Sequence, residues 1–150
     1  MNITDRLSAH LTLAEFTDSD TAARLGIDNS LPGELVETAQ ATGAMLERVR
    51  ALLGTPLLIS SGYRSPELNR AIGSGSGSDH PKAAALDFRA PGFGTPLEIC
   101  KALLPHMKEL GIGQMIYEHT WVHISTREQG NAVNAALTLA SGGYVEGIVG

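Results

Sequence analysis

The longest regular pattern in the sequence is a set of apolar residues that recur at three- and four-residue steps between residues 32 and 53. Its members are Leu35, Ala39, Met45, Leu46, Val49, Leu52 and Leu53, and Gly54 ends it. Steps of this size place side chains on one face of a helix. The interior Gly43 weakens a helix by about 1 kcal/mol relative to alanine, so the prediction of a long helix depends on the length of the repeat.

Shorter elements surround this helix. Two short helices are expected at residues 12–16 and 19–26, and further helices at 65–70 and 95–104, the last of which is broken by Pro105. Strand-like runs occupy residues 57–60, 84–89, 114–118 and 121–125. A short alanine-rich helix is expected after Asn131, in a C-terminal tail (131–150) to which we assign no chemistry. The pattern predicts a mixed α and β protein.

A glycine- and serine-rich run at residues 73–78 is the most linker-like stretch of the chain. Neither flank would bury much core alone, so we interpret the run as a mobile loop inside a single domain spanning residues 1–150. The chain has 150 residues, of which 43% are hydrophobic. A domain of this size buries roughly 70% of the surface of its unfolded chain, so we expect a monomer.

The composition excludes several classes of protein. Cys100 is the only cysteine, so an internal disulfide, a cysteine zinc finger and an iron–sulfur cluster are excluded, and any metal must use His, Asp or Glu. The net charge is −5 without a cluster of basic residues, which argues against nucleic acid or an anionic membrane as partner. No apolar run approaches the roughly 20 residues of a membrane span. The first residues lack the pattern of a secretory signal, so a cytoplasmic location is expected.

The candidate metal ligands are His80, Asp87 and His123. An extended strand would separate His80 from Asp87 by about 23 Å, and a helix by about 10 Å. Shared ligation therefore requires the chain to turn back, and Pro81 and Lys82 are suited to such a turn. Two imidazoles and a carboxylate are a ligand set for catalytic Zn²⁺ that leaves a fourth position for water. The alternative from spacing alone is a hydrogen-bonded histidine–aspartate pair at a strand end.

A zinc hydrolase also needs a base and an electrophilic helper. Glu118 lies five residues before His123, across the expected turn between their strands, and is the candidate general base. Arg64 carries a permanent charge that could stabilise an oxyanion or hold a substrate carboxylate.

Several separated motifs resemble the zinc D-Ala-D-Ala carboxypeptidase family, and in particular its short phage and prophage cell-wall peptidases. These motifs are Ser61 to Asn69, Ser78-x-His80 with Ala85-x-Asp87, Tyr117-Glu118, and Trp121 to Ser125. The resemblance covers residues 8–125. It implies a small α+β fold in which helices flank a central antiparallel sheet, with one zinc ion in the cleft. It also implies that His80, Asp87 and His123 are the zinc ligands, that Arg64 stabilises the substrate carbonyl, and that Ser78 orders the ligand loop and contacts substrate.

Two positions depart from the pattern of this family. Ala83 stands where the family usually has glycine, and a positive φ there would be strained, so we expect an adjusted loop and a retained site. Thr120 occupies the position of the catalytic acid in better-known members. The general base is therefore predicted to be Glu118, with His119 as the alternative.

The aromatic residues Tyr63 and Trp121 are candidate walls of the substrate groove, although a large aromatic beside a strand is more often part of the core. Cys100 is interpreted as a small buried hydrophobe.

The sequence predicts a zinc metallopeptidase that cleaves a peptide bond in bacterial peptidoglycan stem peptides, in the manner of a phage endolysin. Carboxypeptidase and endopeptidase activity both stay open. A second hypothesis is a catalytically silent, zinc-containing module that binds the cell wall or belongs to a phage particle.

Overall fold

The computed structural model describes residues 5–74, 77–127, 136–141 and 143–150. Its α-helices are α1 (Leu13–Thr17), α2 (Asp20–Leu25), α3 (Val36–Leu53), α4 (Pro66–Ile72), α5 (Pro96–Leu103) and α6 (Met107–Leu110). Its strands are β1 (Arg6–Ser8), β2 (Leu11–Thr12), β3 (Leu58–Ser61), β4 (Ala85–Arg89), β5 (Gln114–Tyr117), β6 (Val122–Ser125), β7 (Ala136–Ala140) and β8 (Gly143–Glu146). Short 3-10 helices lie at Gly33–Leu35, His80–Lys82 and Leu104–His106. Within these ranges, no helix combines the length and apolarity that a membrane span requires.

The centre of the fold is a six-stranded sheet in the order β3-β4-β6-β5-β7-β8. Neighbouring strands are antiparallel except β5 and β7, which run parallel. The predicted α+β architecture is therefore confirmed, whereas the predicted antiparallel sheet is correct only for most of its pairings. Strands β1 and β2 form a separate small sheet beside α3.

The predicted long helix is α3, and its repeat supplies the buried side chains Ala39, Met45, Leu46, Val49 and Leu53. These side chains belong to one core with the inner residues of β4 and β6. Gly43 has a packing role, since a Cβ there would lie 2.9 Å from the Cβ of Ser8 in β1. Glycine therefore permits the close approach of β1 to the helix, at the cost in helix propensity that the sequence indicates.

Local sequence signals set the ends of the helices near the site. Ser65 caps α4 by accepting a hydrogen bond from the Leu68 amide, with Pro66 at the first helical position. Thr95 and Glu98 form a capping box at the start of α5. As predicted, the helix is broken at Pro105, which lies in a 3-10 turn that follows Leu103. The glycine- and serine-rich loop follows α4, and its residues 75 and 76 lie outside the described residues.

The prediction for the C-terminal tail is wrong where the structure describes it. Residues 131–135 of the expected helix lie outside the described residues, but residues 136–140 form β7 and residues 143–146 form β8. β7 pairs with the edge of β5, which buries Leu137 and Thr138. Because pairing at an open sheet edge satisfies backbone groups and buries side chains, it outweighs the high helix propensity of alanine.

Candidate metal centre

The side chains of His80, Asp87 and His123 converge at one buried point. One ligand atom from each lies within 4.8 Å of those of the other two. Asp87 on β4 is directly opposite His123 on β6, so sheet register brings these two side chains together. Oδ1 of Asp87 lies 2.9 Å from Nδ1 of His123 and 3.3 Å from Nε2 of His80. The three residues that the sequence selected therefore form one group.

The turn that returns His80 to Asp87 is the 3-10 helix at His80–Lys82, followed by Ala83 in the left-handed region at φ 60° and ψ 24°. The expected return of the chain is confirmed, whereas the expected adjustment of the loop is wrong. Ala83 adopts the conformation that glycine would take, at a cost of about 1–2 kcal/mol. Its side chain is fully buried and its carbonyl accepts a 2.8 Å hydrogen bond from Thr42 Oγ1. These contacts hold the strained residue in place.

A backbone carbonyl fixes the orientation of the His80 ring. Nδ1 of His80 lies 2.6 Å from the carbonyl oxygen of Gly62. Because a carbonyl only accepts, Nδ1 carries the proton and Nε2 presents its lone pair to the site. Burial lowers the pKa of His80 and outweighs the opposing effect of Asp87, so the neutral ring is favoured. Nε2 is buried and lacks a hydrogen-bond partner among the described residues.

These residues fit a zinc ion. Ligand atoms bonded at 2.0–2.1 Å around a tetrahedral zinc ion lie about 3.4 Å apart, close to the observed 2.9 and 3.3 Å. Burial raises the pKa of Asp87, but its contacts with His123 and His80 outweigh burial and lower the pKa overall, so the carboxylate is ionised. A metal would also satisfy the orphaned Nε2 of His80, since a buried polar atom without a partner is costly.

The loop that carries His80 is anchored to the strand that carries His123. Ser78 Oγ accepts a hydrogen bond from the His80 amide at 3.2 Å, and Ser78 borders the cleft. The buried Asp79 carboxylate accepts hydrogen bonds from Ser125 Oγ and Arg127 Nε, each at 2.9 Å. Asp79 and Arg127 are not among the residues predicted from the sequence. The sequence signal for them was an acidic residue directly before the candidate ligand His80 and a basic residue four positions after the candidate ligand His123.

Arg64 follows β3 and places a cation beside the three-residue group. Its Nη2 lies 4.0 Å from Oδ2 of Asp87, and its side chain is only 12% exposed. Burial lowers the pKa of Arg64, while Asp87 and Glu118 raise it. A guanidinium remains charged under such conditions. Arg64 therefore presents a permanent positive charge to the cleft.

Glu118 lies at the end of β5 and borders the same cleft. Its Oε2 accepts a 2.8 Å hydrogen bond from the indole Nε1 of Trp121, which fixes the carboxylate. Burial and the nearby charge of Asp87 raise the pKa of Glu118, against the opposing effects of His123, Trp121 and Arg64. A carboxylate with a raised pKa is a stronger base, as general-base chemistry near neutral pH requires.

Three other residues from the sequence analysis lie elsewhere. His119 has φ 66°, its Nε2 lies 2.7 Å from the Leu139 carbonyl, and it borders a separate apolar pocket, so it is not placed to act as the base. Tyr63 is buried in the core with its phenol near Asp28, so it does not form a wall of the cleft. Trp121 contacts Glu118 and does not border the cleft either. Neither residue lines the cleft, and a role for either in substrate binding stays a prediction.

The cleft has a volume of about 580 Å³ and is lined on one side by the loop at Ser78 and Asp79. Tyr144 and Glu146 of β8 line it as well. Neither residue is predicted from the sequence to have a chemical role, because both lie in the segment interpreted as a helix and a tail.

A buried His–Asp–His group with an arginine and a fixed carboxylate beside it is the arrangement of a metallopeptidase. The family model described as Peptidase M15 matches residues 9–125. The chain belongs to this family of zinc-dependent peptidases. A comparison with curated proteins gave no match. The family match ends at Ser125, so β7 and β8 lie beyond it.

Proposed function

We propose that this chain uses one zinc ion, held by His80, Asp87 and His123, to hydrolyse a peptide bond in peptidoglycan stem peptides. The observation that carries the proposal is the convergence of these three ligand atoms within 4.8 Å of one another, in a cleft that also contains Arg64 and Glu118. Membership of the Peptidase M15 family supports a substrate related to peptidoglycan.

The chemistry that zinc supplies at such a site is Lewis acidity, which lowers the pKa of water to roughly 7 and polarises a carbonyl. Glu118 accepts a proton from water as the water oxygen attacks the peptide carbonyl carbon. Arg64 donates hydrogen bonds to the carbonyl oxygen as negative charge develops there. The carbon–nitrogen bond then breaks, and Glu118 returns the proton to the leaving nitrogen. Trp121 keeps the carboxylate oriented through both transfers.

The test compares Glu118→Gln with the control Glu109→Gln, which changes an exposed carboxylate on α6. Loss of a general base lowers kcat by roughly 10²–10⁴-fold, so we expect Glu118→Gln to lose turnover while it still binds one zinc per chain. Glu109→Gln keeps both properties. Activity is measured on purified muropeptides by mass spectrometry and zinc by elemental analysis. Full activity of the metal-free protein would contradict the proposal.

The same mass spectra distinguish the possible bonds. Release of a terminal D-alanine identifies a carboxypeptidase, whereas cleavage inside the stem peptide identifies an endopeptidase. The resemblance to short phage and prophage peptidases supports a role in cell-wall lysis, with the enzyme held in the cytoplasm until the membrane opens. Lysis of cell walls by protein added from outside is the expected result.

The second candidate function is a silent zinc-containing module. It is favoured by Thr120, which stands in the turn after β5 where better-known members have an acid. A native protein that binds zinc and cell walls but cleaves no muropeptide would support this candidate.

A further inference from the structure

β7 and β8, which lie beyond the family match, continue a row of directly opposite residues across the sheet. This row begins with the metal ligands Asp87 and His123. Asp87 is opposite His123, His123 is opposite Ile116, Ile116 is opposite Leu137, and Leu137 is opposite Glu146. Directly opposite residues share one face of a sheet. Since neighbouring strands lie about 4.8 Å apart, the row extends about 14 Å from His123 to Glu146. β7 and β8 therefore extend the floor of the cleft on one side of the metal group.

Tyr144 lies on this extension. It is two residues from Glu146 on β8, so both side chains point to the cleft face, and both border the cleft. Tyr144 is 54% exposed as a residue and is therefore accessible to a bound molecule. In the described part of the chain, no side chain forms a hydrogen bond with its hydroxyl.

The charges around Tyr144 define what its hydroxyl can do. Burial and the carboxylates of Glu118 and Asp87 raise its pKa, while Arg64 opposes them. The phenol is therefore protonated at neutral pH and can donate a hydrogen bond. Because Glu118 and Glu146 make this side of the cleft negative, a neutral carbonyl oxygen is a better acceptor here than a free carboxylate.

Arg64 and Tyr144 both border the cleft, and they come from strands at opposite edges of the sheet. Arg64 follows β3 at one edge, and Tyr144 lies on β8 at the other. A peptide that crosses the strands over the metal group would contact both residues. We propose that Tyr144 is a substrate-binding residue whose hydroxyl donates a hydrogen bond to a carbonyl oxygen of the peptide on the β8 side of the scissile bond. This inference rests on the proposed peptidase function.

The test removes only the hydroxyl, with Tyr144→Phe. In a Glu118→Gln background loaded with zinc, the Kd for a synthetic stem pentapeptide is measured by calorimetry. We expect the Kd to rise roughly 2- to 12-fold, which corresponds to the 0.5–1.5 kcal/mol of one neutral hydrogen bond. With Glu118 intact, KM rises by the same factor and kcat changes less than about twofold.

Two controls separate the hydroxyl from the packing of its strand. Tyr117→Phe removes a phenol whose ring contacts His119 outside the cleft, and binding should not change. Val145→Thr alters the opposite face of β8 and should leave the Kd unchanged. If Val145→Thr weakens binding of the pentapeptide as much as Tyr144→Phe does, the proposal is overturned, because the packing of the strand would then explain both results.

The outcomes distinguish this inference from the proposed function. Unchanged Kd and KM in Tyr144→Phe overturn the role of Tyr144 while native turnover still supports the peptidase. Weakened binding in a protein without turnover supports Tyr144 and contradicts the peptidase. A zinc-loaded protein that does not bind the pentapeptide overturns the role of Tyr144, and turnover of muropeptides then decides the function separately.

Discussion

Gly62 connects the packing of the core to the orientation of a metal ligand, and Gly62→Ala tests that connection. A Cβ at this position would lie 2.5 Å from both the carbonyl oxygen and the ring Cδ1 of Phe16. The ring is fully buried, and the same carbonyl accepts a 2.7 Å hydrogen bond from the Tyr63 amide. Neither contact can move freely, so the new methyl group must displace the backbone of residue 62.

Two effects of known size follow from this displacement. Overpacking of this kind costs about 1–3 kcal/mol of unfolding free energy, and at roughly 2–4 °C per kcal/mol the Tm falls by about 2–12 °C. The Gly62 carbonyl also moves away from Nδ1 of His80, which it now contacts at 2.6 Å. Loss of an outer hydrogen bond to a ligating histidine weakens metal affinity by roughly 10–100-fold.

The assay measures urea unfolding of the metal-free protein and zinc affinity by competition with a chromophoric chelator. Gly33→Ala is the matched control, since a Cβ there has no neighbour within 4 Å and the residue does not have positive φ. It should change stability by no more than a gain of about 1 kcal/mol and leave zinc affinity unchanged. Native zinc affinity in a folded but destabilised Gly62→Ala variant would refute the argument that the Gly62 carbonyl orients His80.

Two further predictions concern Cys100 and Asp79. Burial raises the pKa of the Cys100 thiol to about 12, so iodoacetamide should modify it in urea but not in the native protein, and rapid native alkylation would contradict this. Burial raises the pKa of Asp79, but hydrogen bonds from Arg127 and Ser125 outweigh it and lower the pKa overall. The resulting stability is present above the unfolded pKa and lost as pH falls through the folded one. Unfolding free energy should therefore vary less between about pH 5 and pH 2 in Asp79→Asn than in the native protein, and equal acid sensitivity would count against this role.

Features encoded locally could be predicted from the sequence. The period of α3 and the caps of α4 and α5 depend on residues within one or two helical turns of each other. The metal group could be found because its residues stand in separated motifs whose order resembles that of a known family, whereas residue type and spacing alone were a weak signal. Their convergence depends on the register of β4 with β6, which could not be predicted from the sequence.

The features that could not be predicted depend on distant contacts or on one backbone angle. The alanine-rich segment at Ala136 favours a helix locally, and only the exposed edge of β5 makes it a strand. His119 adjoins Glu118, yet its positive φ directs the ring away from the cleft. At Ala83 the glycine pattern indicated a changed loop, whereas burial of the methyl group and the hydrogen bond from Thr42 retain the original backbone.

The parallel pairing of β5 with β7 separates the metal-binding part of the sheet from its last two strands. The metal donors all lie on the β5 side of this pairing, in the part of the chain that matches the family. Beyond it, the terminal hairpin contributes side chains to the cleft without contributing to the metal group. A change in this hairpin would therefore alter the wall of the cleft while the three metal-binding side chains stay the same.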